Sequence, residues 1–179
     1  MTQVTSANFG LLIAYLAPGV TALWGLARFS PVLRNWLAVT MPDTPTVGGF
    51  LYVSIAAVVA GVTVSACRWA IVDSLHHWTG ITPPKWDFRN LASDAAAFQL
   101  LIEIHYRYYQ FYANMLIALV FWLICRHMPG EAASRFGSLD VMVLALAVVF
   151  YAGSRDALWK YYRRGEQLLG QRLQNASPR

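Results

Sequence analysis

A chain of 179 residues is long enough for one ordinary domain, but 57% hydrophobic and only 13% charged residues leave too little polar surface to cover a soluble one. The formal net charge of +5 does not read as a nucleic-acid footprint, because the 14 Lys and Arg flank apolar runs and form no dense patch. The composition argues against an ordinary soluble domain and against a nucleic-acid partner. It points to a lipid bilayer, with the basic residues setting orientation and meeting anionic headgroups.

The first apolar run, Phe9 to Ala27, is about 19 residues, which suits a helix crossing a hydrocarbon core of roughly 30 Å. The residues ahead of it carry no Lys/Arg cluster and no well-placed cleavage site, so they are expected to stay on the protein. Pro18 and Gly19 fall mid-run and predict a kink whose freed carbonyl needs a neighbour. Ser30 before Pro31 is an N-cap signature. Val32, Leu33, Trp36 and Leu37 fall on one side of the short helix it opens, which is read as amphipathic and interfacial, ending at Pro42 and Pro45.

The second run, Val47 to Ala66, places Ala57, Gly61 and Ser65 at four-residue spacing, a face that permits close helix approach. The helix is expected to continue until Gly80, Pro83 and Pro84 stop it. "TPPKWDFRNL" then reads as a rigid connector with Trp86 and Phe88 packed back onto the helices. Ser93 is a plausible cap for a helix from about 94 to 127, close to 50 Å long. Its half from about 108 to 125 is the third crossing, and the remainder is a stalk. A fourth crossing over about 139–154 continues into a basic amphipathic helix, with Leu158, Tyr161, Tyr162, Leu168, Leu169 and Leu173 toward one side. Cys67 and Cys125 show no metal or redox spacing, and they fall near opposite membrane faces.

Arg68, Lys85, Arg89, Arg107, Arg155, Lys160, Arg163, Arg164, Arg172 and Arg179 lie on one side of these crossings. Only Arg28, Arg34, Arg126 and Arg135 lie on the other. Ten against four predicts an all-α integral membrane protein with four transmembrane helices. Both termini, and helical layers over about 67–107 and 155–175, are then cytoplasmic, in the cell (inner) membrane.

"EIHYRYYQFYANML", residues 103 to 116, is where the third crossing enters the membrane, its tyrosines forming a belt at headgroup level. At 100° per residue, Gln99, Glu103, Tyr106, Arg107, Gln110 and Asn114 fall within an arc of about 100°. Phe98, Leu101, Ile102, His105, Tyr108, Tyr109 and Tyr112 fall opposite. Glu103 and Arg107 are spaced for an i, i+4 salt bridge. Asn114 sits about 9 Å below the belt and needs either a partner helix or a wet cavity. Gln99, Glu103, Arg107, Gln110 and Asn114 are therefore candidates to line a polar path.

Asp73 precedes His76 and His77 by three and four residues, and Glu103 and His105 occur on the next helix. The five supply nitrogen and oxygen donors of the kind that bind Zn, Fe or Mn, without a recognised metal motif. No motif indicates a cofactor, and no Ser or Cys sits in a catalytic signature. Three functions remain open on the sequence: a self-associating membrane protein that forms a pore or channel, a non-catalytic subunit of a larger membrane complex, and a membrane-embedded metalloenzyme. The expected partners are the bilayer and either further copies of the chain or other membrane subunits.

Overall fold

Helix is the only regular structure among the described residues of the computed structural model. These comprise the backbone of residues 6–37, 47–84, 86, 91–128 and 135–175, with side chains over 13–37, 48–84, 86, 95–128 and 135–169. The expectations at Pro42, Pro45, Phe88 and Leu173, and the side chain of Ser93, lie outside them. Helix α1 is Ser6–Leu26, α2 Pro31–Leu37 and α3 Val47–Arg68. A π-helical turn, Trp69–Asp73, carries α3 into α4, Ser74–Trp78. Helix α5, Leu91–Leu101, runs through a second π-helical turn, Ile102–Tyr106, into α6, Arg107–His127, and α7 is Ser138–Asn175. Three stretches are long and apolar enough to cross a membrane, Gly48–Trp78, Ala95–His127 and Ser138–Leu169, and α1 adds a shorter apolar run, Ile13–Leu26.

Local chemistry sets the ends. Ser30 accepts the Leu33 N–H at 3.3 Å, capping α2. Gly80, at φ 96°, closes α4 with a Schellman motif: Ile81 N–H donates to the His76 carbonyl at 3.0 Å, and Gly80 N–H to the His77 carbonyl at 3.2 Å. Asp140, in the first turn of α7, accepts the Gly137 N–H at 2.8 Å, Arg126 Nε at 2.9 Å and His127 Nε2 at 3.0 Å. One buried carboxylate thus joins the last turn of α6 to the first turn of α7, with each charge at the helix end whose dipole favours it.

Helix α1 packs along both α3 and α6, and α6 packs along α7. The buried side of α1, Ala14, Pro18, Gly19, Ala22, Leu23 and Gly25, is mostly small, so neighbouring backbones come close. A methyl group on Gly19 would sit 1.8 Å from the Ala57 carbonyl oxygen, and one on Gly61 would sit 2.1 Å from that of Tyr15. The two glycines face each other's helices reciprocally, and Cα–H groups take the places that side chains would fill. Ala57 and Gly61 are buried in this seam and Ser65 is half-buried at its edge. The small-residue face is therefore occupied by α1 of the same chain.

At the Gly80 end, Trp86 folds back as a wedge. It meets Tyr161 edge-on at 5.3 Å and Phe98 at 5.6 Å, and it lies so close to Gly165 that a methyl there would be 2.9 Å from its ring. Val72, Ile81, Tyr109, Ala113, Ala157, Leu158 and Tyr161 form the core beneath it. Facing outward, Phe50, Ile55, Val59 and Val62 on α3 and Met142, Val148 and Val149 on α7 are exposed, the surface that a bilayer or neighbouring helices would cover.

The Gly19–Gly61 seam makes a stability prediction. Gly61→Ala and Gly19→Ala should each force α1 and α3 apart and cost roughly 1–3 kcal/mol. Gly48→Ala, whose methyl meets nothing within 4 Å, should be neutral or stabilising. Unfolding in mild detergent, followed by helical circular dichroism, checks the contrast.

Candidate functional site

Burial of ionisable groups concentrates where α3, α4, α6 and α7 meet. Arg68 ends α3 and is buried, and Asp73 closes the π-helical turn that follows. An ideal α-helix puts residues five apart about 140° from one another at 100° per residue. The wider π turn brings them toward one face, and Arg68 Nη1 lies 3.5 Å from Asp73 Oδ1. The Tyr109 hydroxyl on α6 donates a short hydrogen bond to the same oxygen. The Arg68 guanidinium also lies over the Tyr109 ring, 5.2 Å from its centroid. Among the described residues neither Nε nor Nη1 of Arg68 has a hydrogen-bond partner, and Nη1 meets Asp73 only as an ion pair.

A second set lies alongside. His76, fully buried on α4, has Nε2 3.0 Å from Ser154 Oγ on α7. Ser154 donates its one hydroxyl proton to the Tyr151 carbonyl at 2.8 Å. The proton between Ser154 and His76 therefore belongs to Nε2, which in the neutral ring leaves Nδ1 an acceptor, buried and without a partner among the described residues. The His76 ring is stacked on Tyr151 at 5.4 Å and tilted against Tyr109 at 6.1 Å. Next to Ser154, Arg155 donates to the Thr79 hydroxyl at 2.6 Å and to its carbonyl at 3.0 Å, covering the end of α4. The two sets share rings and van der Waals contact, and among the described residues no hydrogen bond joins them into a continuous proton wire.

The polar-path residues divide. Gln99 Nε2 donates to Glu103 at 3.4 Å, and Glu103 pairs with Arg107 at 3.8 Å, so three of them form a partly exposed ladder. Gln110 is half-buried below it. Asn114 leaves the stripe. It is fully buried, and its Nδ2 donates to the Ala14 carbonyl of α1 at 3.1 Å. Ala14 is four residues before Pro18, so this is the carbonyl that the missing proline N–H leaves free. The single face expected from Gln99 to Asn114 is not continuous: the π turn at Ile102–Tyr106 departs from the 3.6-residue wheel, and Asn114 turns into the seam with α1. Tyr106 is carried to the aromatic side, against Tyr109 at 5.9 Å and Tyr161 at 5.1 Å.

No family model, curated protein or solved structure matches this chain.

The five donors considered for a metal do not converge, and among the described residues no three His, Cys, Asp or Glu side chains group to hold one. Asp73 turns to Tyr109 and Arg68 instead of to the neighbouring imidazoles. His76 is turned inward to Ser154, His77 is exposed, Glu103 faces Arg107, and His105 accepts from Arg164 at 2.6 Å. Arg68, Tyr109, Ser154 and Arg155 were not singled out from sequence. A charge pair five residues apart gives no helical signal, and Tyr109 and Ser154 are ordinary residues for a membrane helix until the tertiary fold brings them to Asp73 and His76.

A double-mutant cycle tests the Asn114 bond. Asn114→Leu alone should destabilise the bundle by about 0.6–2 kcal/mol. Pro18→Ala restores an N–H that can satisfy the Ala14 carbonyl within α1, so in that background the same change should cost markedly less. Denaturant titration in detergent micelles reads both.

Proposed function

We propose that the protein is a four-crossing membrane protein, with both termini cytoplasmic, that self-associates and conducts a small ion or polar solute. The observation carrying this reading is the set Arg68, Tyr109, His76 and Ser154, buried together with the half-buried Asp73 at the ends of helices of membrane-spanning character. Desolvating each ion costs several kcal/mol, which apolar side chains of similar size would avoid. In the four-crossing arrangement these groups lie where the crossings leave the bilayer on the cytoplasmic side, and buried ionisable groups between such helices fit an ion or proton pathway. The Nε of Arg68 and the Nδ1 of His76, which find no hydrogen-bond partner among the described residues, give a passing ion, or waters around it, groups to bind. The partly exposed ladder Gln99–Glu103–Arg107 supplies charge at the mouth of the path. A chain of this length is too small to enclose a conduit alone, so further copies complete it, meeting through the uncovered apolar faces of α3 and α7.

Orientation rests on the ten-to-four distribution of Lys and Arg, which becomes nine to four once the buried Arg68 is set aside. Reporters fused after Arg179 or inserted at Pro84 should be cytoplasmic, and reporters near Asp43 or Gly130 should face the other side. Labelling from outside of a cysteine introduced at position 84 rejects the four-crossing arrangement.

A scaffold or non-catalytic subunit of a larger membrane complex is the second reading, favoured by the same exposed faces of α3 and α7. Purified protein in planar bilayers separates the two. Conduction by the wild type, reduced tenfold or more in Tyr109→Phe and Asp73→Asn with oligomer size unchanged, is the outcome expected of a pathway. Charge reversal at Glu103 should shift ion selectivity. Silent bilayers over all voltages, together with a lone protomer by light scattering, reject the conduit in favour of the subunit.

A further inference from the structure

The opposite end of the bundle, around the last turns of α1 and α6, carries a different chemistry. A pocket of about 250 Å³ opens there, with Arg28, Arg34 and Arg126 on its walls and Trp24 and Trp122 at its rim. Two of the three arginines also have structural partners. Arg34 Nη2 donates to the Arg28 carbonyl at 3.1 Å and its Nε to that of Ala27 at 3.4 Å, capping the end of α1. Arg126 holds Asp140 and lies 5.5 Å from the Trp122 ring centroid. Arg28 makes no side-chain hydrogen bond or ion pair among the described residues. Three guanidinium groups against the one carboxylate of Asp140 leave two positive charges at the pocket (3 − 1).

A second depression, about 260 Å³, shares Trp24 and Trp122 with the first and runs between α1, α6 and α7 over Leu119, Leu139 and Val143. It is apolar. Its one hydroxyl, on Thr21, is bonded back to the Ala17 carbonyl at 2.9 Å. A cationic pocket that opens, across two tryptophans, onto a hydrocarbon-lined groove on a membrane helix bundle has the layout of a phospholipid. Guanidinium groups bind phosphate oxygens by charge-assisted, often bidentate hydrogen bonds, and tryptophan rings are stable at headgroup depth.

We propose that this end of the bundle is a binding site for one anionic glycerophospholipid, with its phosphate among Arg28, Arg34 and Arg126 and one acyl chain along the groove past Thr21, Leu119 and Val143. The excess of positive charge selects against zwitterionic lipids of the same chain length, whose headgroup brings its own cation. The site is independent of the polar network at the other end of the bundle, and it stands whether the protein conducts or not.

Native mass spectrometry of the full chain in mild detergent tests it, with dioleoyl phosphatidylglycerol and dioleoyl phosphatidylcholine added in equal amounts. The wild type should retain the anionic lipid preferentially. Arg28→Gln should lower that preference by about fivefold, the upper worth of one half-exposed charge contact. Val143→Trp, which fills the groove, should reduce retention of both lipids, and Arg28→Lys should keep part of the selectivity. Circular dichroism confirms that each variant folds. Equal retention of the two lipids by the wild type, or an unchanged preference in Arg28→Gln, overturns the proposal. Displacement of the lipid by millimolar inorganic phosphate also overturns it, because the pocket would then serve a free anion and the groove would be incidental.

Discussion

The hydrogen bond from Asn114 to the Ala14 carbonyl is the constraint on which the arrangement of helices turns. Proline inside an apolar helix packed among others leaves a carbonyl without its N–H, and a donor from a neighbouring helix, at the right height and rotation, can satisfy it. Asn114 meets that requirement and thereby fixes the register of α6 on α1. On its other side α1 is held by shape, since Gly19 and Gly61 let two backbones touch with no side chain between them. Directional on one flank and steric on the other, these contacts leave α1 little freedom to rotate or slide. Positions along α3 and α6 are then set relative to each other through α1.

That registration explains how the ionisable groups meet. With α3 and α6 fixed, the two π-helical turns present Asp73 and Tyr109 to one another, and α7 adds Ser154 and Arg155 to hold α4 from both inside and outside. The energetic weights differ greatly across the molecule. The exposed Lys160–Asp156 pair, at 2.6 Å, contributes at most about 1 kcal/mol. Removing Asp73 would strand the buried Arg68 charge, a loss that for fully buried pairs reaches about 3–5 kcal/mol. The interior polar groups are few, and they govern how α4 is seated.

Much of the helical scaffold was legible in the sequence because it follows from hydrophobic run length and punctuation. The stop at Gly80, the cap at Ser30, the folding back of Trp86 and the four-residue spacing of Ala57 and Gly61 are all local or periodic signals. So was the need for a partner at Pro18, and separately at Asn114, although nothing in the sequence says that each answers the other. The candidate site was much less legible. A helical wheel assumes 3.6 residues per turn, and the π turn at Ile102–Tyr106 departs from it, carrying Tyr106 to the aromatic side. The same widening at Trp69–Asp73 hides the Arg68–Asp73 pair and leaves Asp73 looking like a companion of the histidines. Arg68, counted from sequence among the charges of a loop, lies instead in the interior.

The Asn114 bond spans 100 residues of chain, and a membrane protein is made from its N-terminus onward. At a synthesis rate of 5–20 residues per second, Asn114 follows Ala14 off the ribosome by about 5–20 s. For that interval α1 has an open carbonyl at mid-helix and no α6 to close it. Helix α3 arrives first and, through the Gly19–Gly61 contact, supports α1 without satisfying it. The order of synthesis thus makes the steric α1–α3 contact available before the residue that completes the α1 backbone. A chain interrupted between α3 and α6 would leave that pair with an unsatisfied carbonyl at its centre.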